Sequence, residues 1–249
     1  MTPPRTHSLS ELEAMAVYSV LVAGKSAEFA EAKTRTLLAG ALEGETPFEF
    51  IRKAAGCDML AWHLKVSRTG SYGRLLKCFP ALAKLDVRTC TVADLEAIHG
   101  IGPKTARFFI LWTRPNERLA ALDRHVLHYL SDLGHDVPKS TPSSRKRYTA
   151  LEAIFLAKAD ELGKSPRDLD LEVWESYRAE NLRMRKPNSR WERPHDHLPD
   201  AGNMVGASCD DGRANPLHGH PHQDCGCCSG CGSRVGHAGS DLRLVGVRP

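Results

Sequence analysis

Residues 98–113 read IHGIGPKTARFFILWT. Gly100 and Gly102 flank one isoleucine, Pro103 follows them, and Lys104 stands just inside an apolar run. Proline is common at the first position of a helix, and glycines suit a tight turn. The stretch therefore predicts a helix–hairpin–helix, in which the short helix LEAI ends before the turn and PKTARFFILWT begins the next helix.

The predicted hairpin offers a binding site for a phosphate group of DNA. Gly100 and Gly102 permit positive φ and leave no side chain in the way of a close approach. The N–H groups around Ile101 and in the first helical turn, which includes Thr105, can bind an anion. Such contacts do not distinguish one base from another. An ordinary αα-hairpin with glycines in its turn is the structural alternative.

Lys104 is the second residue of the predicted helix. The positive end of the helix macrodipole disfavours a second positive charge there and favours the neutral amine. A neutral lysine amine is a nucleophile that forms Schiff bases with sugar aldehyde carbons. A simple phosphate contact is the alternative role, and Lys104 alone does not decide between the two.

A second candidate site residue lies in RLAALDRHVLHYLSDLG, residues 118–134. Asp123 ends an apolar run and is predicted to be the N-cap of a helix that stops at Gly134, a role worth about 1 kcal/mol. A carboxylate fixed by backbone N–H groups stays ionised and rigid. Near a sugar it can stabilise an oxocarbenium cation or accept a proton from the attacking nucleophile.

The chain up to residue 181 reads as consecutive amphipathic helices with no convincing strand, which predicts an all-α body. The expected helix starts are Ser8 or Ser10, Ser26, Thr91 with Asp94, Thr141 with Pro142, and Ser165 with Pro166. The expected stops include Gly24 and Gly163. The expected core includes Leu37, Leu38, Leu75, Leu76, Leu82, Leu85, Ile154, Phe155, Leu162, Leu169 and Trp174.

Composition changes near residue 181. Ten of the twenty glycines, six of the twelve histidines and five of the eight cysteines follow it, and apolar periodicity is lost. Residues 182–249 are therefore predicted to be mostly disordered. The cysteines at 209 and 225–231 and the nearby histidines could bind zinc, but the missing apolar framework favours no structured metal site. The basic stretch RMRKPNSRWER could contact a DNA backbone loosely. A solvated linker is the alternative.

Charge and hydropathy indicate which partners and which location to expect for the protein. A net charge of +4 and a pI near 8.6 allow a nucleic-acid partner without requiring one. No apolar run approaches the roughly 20 residues of a membrane span, and the N-terminus lacks the pattern of a signal peptide. We expect a soluble protein of the reducing cytoplasm with no membrane partner.

These motifs occur together in a known family. GIGPKTA followed by ALDRHVL resembles the signature of the helix–hairpin–helix DNA glycosylases, the superfamily of endonuclease III. The segments LDRHVLHYL, DVPKSTPSSRKRY and LDLEVWESY follow in the order seen in archaeal-type 8-oxoguanine DNA glycosylases, to which the chain is similar over about residues 10–180. The resemblance is strongest from Leu95 to Tyr177.

The resemblance implies a two-lobed all-α body over residues 1–181, with the active site in the cleft between the lobes. A barrel-like lobe would span about residues 22–112 and include the hairpin at 95–113. The second lobe would combine residues 1–21 with residues 113–181.

The resemblance also implies base-excision repair by a bifunctional DNA glycosylase/AP lyase. Lys104 matches the Schiff-base lysine and Asp123 the catalytic aspartate, while Gly100, Ile101 and Gly102 match the phosphate-binding hairpin. The partner would be double-stranded DNA with a damaged base or an abasic site, bound by a nucleoid-associated monomer. No cofactor or metal is implied.

Two departures from the family leave open the residue that fills the gap and the base that is excised. Many relatives fill the gap left by the flipped base with a glutamine after the first helix, where this chain has Gly24 and Lys25, so Lys25 is a candidate for that DNA contact. The chain also continues beyond the predicted helix LDLEVWESY, whereas the archaeal-type relatives end soon after it. His125 could polarise the site, although packing is its more ordinary role. The alternative functions are a non-catalytic hairpin module and a glycosylase-fold protein of phage-type thymine hypermodification.

Overall fold

The computed structural model describes residues 7–184, and these residues form ten helices and no strand. The helices are α1 (Leu9–Leu21), α2 (Ala27–Leu38), α3 (Pro47–Gly56), α4 (Leu60–Val66), α5 (Tyr72–Leu82), α6 (Val92–Glu96), α7 (Pro103–Thr113), α8 (Arg124–Asp132), α9 (Arg145–Glu161) and α10 (Pro166–Met184). The prediction of an all-α fold is confirmed for this part of the chain.

Side-chain caps start several of these helices where the sequence predicts them. Ser8 and Glu11 form a capping box at α1, and Thr91 and Asp94 form another at α6. The hydroxyl of Ser26 accepts the N–H of Phe29 in the first turn of α2. Each cap satisfies backbone donors that have no partner inside the helix. Local polar chemistry therefore sets these helix boundaries.

The start of α9 differs from the prediction. The long helix was expected to begin after Thr141, but it begins at Arg145, and Ser144 is its N-cap. The Thr141 hydroxyl instead donates a hydrogen bond to the carbonyl of Leu122, 2.8 Å away. Thr141 makes a tertiary contact instead of capping the helix. The sequence pattern therefore placed the start of α9 too early.

Buried apolar side chains form a first core cluster from α1 to α7. The buried faces of these helices meet there around large side chains that have almost no exposed surface, such as Tyr18, Phe48, Phe79 and Phe108. Helix α1 packs against α2, α3 and α7 in this cluster. The hairpin between α6 and α7 packs against this cluster.

A second core cluster lies between α8, α9 and α10. Its members are Ala120, Leu122, Val126, Leu127, Leu130, Tyr148, Leu151, Phe155, Ala159, Leu169 and Val173. The connection between α7 and α8 includes residues 119–122, which belong to no helix or strand. Their side chains alternate between the clusters, with Ala121 in the first and Ala120 and Leu122 in the second, as expected for extended backbone. The proposed division into a lobe at 22–112 and a second lobe of residues 1–21 with 113–181 stays a prediction.

The prediction of a buried core position is wrong for two residues. Leu76 is 38% exposed, because the buried face of α5 passes through Leu75, Phe79 and Leu82 and leaves Leu76 outside it. Leu162 is 43% exposed, because it caps α9 beyond the last buried turn. The other expected core residues are buried or partly buried, and all of them except Trp174 belong to the two clusters.

Among residues 7–184 there is no helix that combines the length and the apolar character of a membrane span. The predicted tail at 182–249, with its cysteines and histidines and the basic RMRKPNSRWER stretch, lies almost entirely outside the described residues.

Candidate functional site

The predicted hairpin connects α6 to α7. The chain turns after Ile98, whose carbonyl accepts the N–H of Ile101 at 3.1 Å. Gly100 has φ +90°, in the region that glycine adopts without strain. Ile101 is only 6% exposed and anchors the turn in the first core cluster. Pro103 is the first residue of α7, as predicted.

Gly100 is required by the packing of the turn. A Cβ at Gly100 would lie 2.6 Å from Cγ of Arg74. The Arg74 guanidinium donates hydrogen bonds to the carbonyl of Gly100, 3.0 Å away, and to the carbonyl of Val20, 3.2 Å away. Arg74 therefore ties the hairpin to the end of α1, and the missing side chain at Gly100 makes this possible.

Gly102 has a different role, and one expectation for it is wrong. Its φ of −97° and ψ of 174° are extended rather than left-handed, so any residue can adopt its backbone conformation. Gly102 is exposed, and a Cβ there would meet no atom within 4 Å. It is the N-cap of α7, and no side chain caps this helix. The glycine leaves the helix start open to an approaching group.

Lys104 is half-buried in the first turn of α7, with Nζ 4.8 Å from the ring centroid of Phe108. This places the amine along the helix surface over an aromatic face that is fixed in the first core cluster. Thr105 is 7% exposed, so its side chain offers little surface to a ligand. The lysine is the accessible functional group of this helix start.

Lys25 lies in the loop between α1 and α2. Its side chain is exposed, and Nζ is 5.6 Å from the ring centroid of Phe29. The preceding Gly24 has φ +73° and turns the chain there. The loop thus presents an exposed cation, and the contact of Lys25 with DNA stays a prediction.

Asp123 is the N-cap of α8, as predicted. Its Oδ1 accepts the N–H of His125 at 2.9 Å and the N–H of Val126 at 3.0 Å. Its own N–H donates to the carbonyl of Ala121 at 2.6 Å. The carboxylate is thus held by two donors at the positive end of the helix. The ring of His125 packs beside Tyr177, with centroids 6.5 Å apart.

The extended segment before Asp123 is held by side chains. Glu152 Oε1 accepts the N–H of Ala120 at 3.0 Å, and the Tyr148 hydroxyl donates to the carbonyl of Ala120 at 2.9 Å. The same hydroxyl accepts the N–H of Leu122 at 3.1 Å. Burial raises the pKa of Tyr148, so its hydroxyl keeps the proton that it donates.

Arg107 connects this arrangement to α7. Its Nε donates to Oε1 of Glu152 at 2.9 Å, and its Nη1 donates to Oε1 of Glu96 at 2.6 Å. The guanidinium lies 4.4 Å from the ring centroid of Tyr148 and is almost fully buried. Arg107 is one helical turn after Lys104. We call Arg107, Glu152 and Tyr148 the buried polar network.

The sequence interpretation missed this network. One signal was present, because Arg107 stands inside the run ARFFILW, and a buried charge requires a partner of opposite sign. Glu152 and Tyr148 are four residues apart and share a face of α9. The pattern could indicate that a partner exists, but only the packing identifies Glu152 and the backbone groups that it binds.

Within residues 7–184, no group of three or more histidine, cysteine or acidic side chains is placed to hold a metal ion. The cysteines at 209 and 225–231 lie outside that range. The sequence prediction about zinc concerns those residues and stays a prediction.

Comparison with known proteins gives a partial match. Proteins named 8-oxoguanine DNA glycosylase/AP lyase from Thermotoga petrophila, Thermotoga neapolitana and Thermotoga maritima are each 40% identical to the chain over 77 residues. The matched stretch is 30% of this chain and 36% of each relative. No family model and no solved structure matches the chain. The chain is therefore similar to about a third of the length of these curated glycosylases.

Proposed function

We propose that the protein is a DNA glycosylase with AP lyase activity that removes an oxidised base from double-stranded DNA. The observation that supports this most is the similarity to 8-oxoguanine DNA glycosylase/AP lyases. Two helix starts of the chain carry side chains suited to that chemistry. One start is open and carries Lys104, and the other holds the carboxylate of Asp123.

The open start of α7 is proposed to bind a DNA phosphate. Gly102 leaves room beside the first N–H groups of the helix, and no side chain caps them. A phosphate oxygen can accept these N–H groups at the positive end of the helix. Because these donors belong to the backbone, binding does not depend on base sequence.

The proposed chemistry begins when the damaged nucleotide leaves the duplex. Nζ of Lys104 attacks C1′ of the sugar, and the glycosidic bond breaks with its electron pair on the base. Asp123 stabilises the positive charge that develops on the sugar and accepts a proton from the amine. No cofactor takes part in these steps.

The C1′–O4′ bond then breaks as O4′ takes a proton, and the resulting ring-opened imine makes the C2′ proton acidic. Removal of that proton breaks the C3′–O3′ bond, and the strand is cut 3′ to the lesion. Water then releases Lys104 from the sugar fragment. An 8-oxoguanine-like base is the first candidate substrate, since the partial relatives carry that name.

Duplexes that each contain one altered base test this function. We expect release of one oxidised base with strand cleavage, no reaction with the undamaged duplex, and strongly slowed base release by Asp123→Asn. Binding to every duplex without base release would instead indicate a non-catalytic hairpin module. Conversion of a thymine derivative without excision would indicate a role in DNA base modification.

A further inference from the structure

The segment that carries Asp123 is bound along one side by side chains alone. In an extended chain, the N–H and C=O groups of alternate residues point to the same side. All four such groups of Ala120 and Leu122 are hydrogen-bonded to side chains, namely those of Glu152, Tyr148 and Thr141. These side chains take the place that a neighbouring strand has in a sheet.

This arrangement restricts where Asp123 can lie. Leu122 directly precedes Asp123, and both its backbone polar groups are bound, to the Tyr148 hydroxyl and to Thr141. Both partners are buried or partly buried, so a displaced segment would leave polar groups without partners away from water. The backbone before the N-cap therefore has one strongly favoured position.

The same network reaches the helix of Lys104. Oε1 of Glu152 accepts both the N–H of Ala120 and Nε of Arg107. Arg107 lies one turn after Lys104 on α7. One carboxylate oxygen therefore joins the Asp123 segment to α7, and it comes from a residue that is 32 and 45 positions away from the two groups along the chain.

We propose that Tyr148 and Glu152 are positioning residues that fix the carboxylate of Asp123 relative to the amine of Lys104. The inference rests on the proposed function, because it assigns the network a role in base release. Reactions that need two groups in one geometry lose about 100-fold in rate when one group shifts by about 1 Å. The network would oppose such a shift of the backbone that leads into Asp123.

The test replaces Tyr148 with phenylalanine, which keeps the ring against Arg107 and removes the hydroxyl. The matched control is Tyr129→Phe, the same change on α8 at a ring that packs on Phe155. Base release from a duplex with one 8-oxoguanine is measured under single turnover, together with borohydride trapping on a duplex with a preformed abasic site.

We expect Tyr148→Phe to slow base release, which needs Asp123, by about tenfold to 100-fold. Trapping on the abasic duplex, which needs Lys104, should fall by much less, and Tyr129→Phe should leave both reactions unchanged. A structural defect would instead lower both reactions equally, and an equal loss would overturn the positioning role. Unchanged base release in Tyr148→Phe would overturn it as well.

Hydrogen exchange separates failure of this inference from failure of the proposed function. The amide of Leu122 should exchange faster in Tyr148→Phe than in Tyr129→Phe, because it has lost its acceptor. Equal exchange in both variants would contradict the positioning role even in an active enzyme. A wild-type protein that forms no adduct through Lys104 would reject the proposed function, and exchange at Leu122 would still decide whether Tyr148 holds the segment.

Discussion

Helices α7 and α8 begin in opposite ways. Helix α7 starts after Gly102 with no side-chain cap, and its second residue is the cation Lys104. Helix α8 starts with Asp123, whose Oδ1 accepts two of the first N–H groups of the helix. The two starts thus place a positive and a negative side chain at the same kind of helix terminus.

The difference shows that the free N–H groups at a helix N-terminus can serve two purposes. The open start keeps backbone donors available for an anion from outside, such as a phosphate. The filled start uses the same donors to hold an internal carboxylate in one orientation. Under the proposed function, the first binds the DNA strand and the second stabilises charge on its sugar.

Loss of Glu152 should have the largest effect, because this residue joins the two helix starts. Glu152→Ala leaves Arg107 buried with one carboxylate partner fewer and the N–H of Ala120 without an acceptor. We expect a loss of about 3 kcal/mol in the free energy of unfolding, measured by urea denaturation. Glu152→Gln keeps an oxygen for Ala120 and should lose less. Equal stability of Glu152→Ala and wild type would show that the starts are not coupled through Glu152.

Asp123→Asn separates capping from catalysis at the filled start. Asparagine caps a helix about as well as aspartate, so the free energy of unfolding should change by less than about 0.5 kcal/mol. The lost charge should slow base release by about 100-fold, or roughly 2.7 kcal/mol in activation free energy. Asp123→Ala is the matched control, which should also lose about 1 kcal/mol of stability. Full activity in Asp123→Asn would reduce Asp123 to a cap.

Gly100→Ala tests the structural glycine of the hairpin. Its φ of +90° and the contact of 2.6 Å with Arg74 Cγ both oppose a Cβ. We expect a loss of about 2 kcal/mol in the free energy of unfolding, measured by thermal or urea denaturation. Gly24→Ala is a useful comparison, because Gly24 also has positive φ but meets no atom within 4 Å. If both variants lost the same stability, the Arg74 contact would contribute nothing.

Gly102→Val should have the smallest effect, and it tests the open start alone. The extended backbone accepts valine, so stability should be almost unchanged. The added side chain blocks a close approach, and loss of one hydrogen bond to a phosphate should weaken binding roughly tenfold on every duplex. Binding is measured by fluorescence anisotropy at a fixed salt concentration. A loss confined to one base would contradict a contact to the DNA backbone.

Sequence patterns predicted the local parts of this structure. Ser26, Thr91 and Asp123 were identified as helix caps, Ser8 as one of two candidates, and Pro103 as the first residue of α7. These features depend on a few neighbouring residues and the hydrogen bonds between them. Short-range chemistry is therefore readable from the chain itself.

Tertiary contacts were not predictable in the same way. Thr141 has the residue type of a helix cap, yet it binds the carbonyl of Leu122. Gly102 looks as permissive as Gly100, yet only Gly100 needs positive φ. Glu152 binds groups 32 and 45 residues away. Such choices depend on how the helices pack, and no local pattern contains that information.

Covalent trapping tests most directly whether Lys104 is the nucleophile. Borohydride is added while the protein reacts with a duplex that contains one abasic site, and the protein–DNA adduct is measured on a denaturing gel. Attack by Lys104 predicts an adduct with wild-type protein and none with Lys104→Gln, which should still bind the duplex through the open start of α7. An adduct of undiminished yield in Lys104→Gln would contradict the account and move the chemistry to another amine, with Lys25 the first to examine.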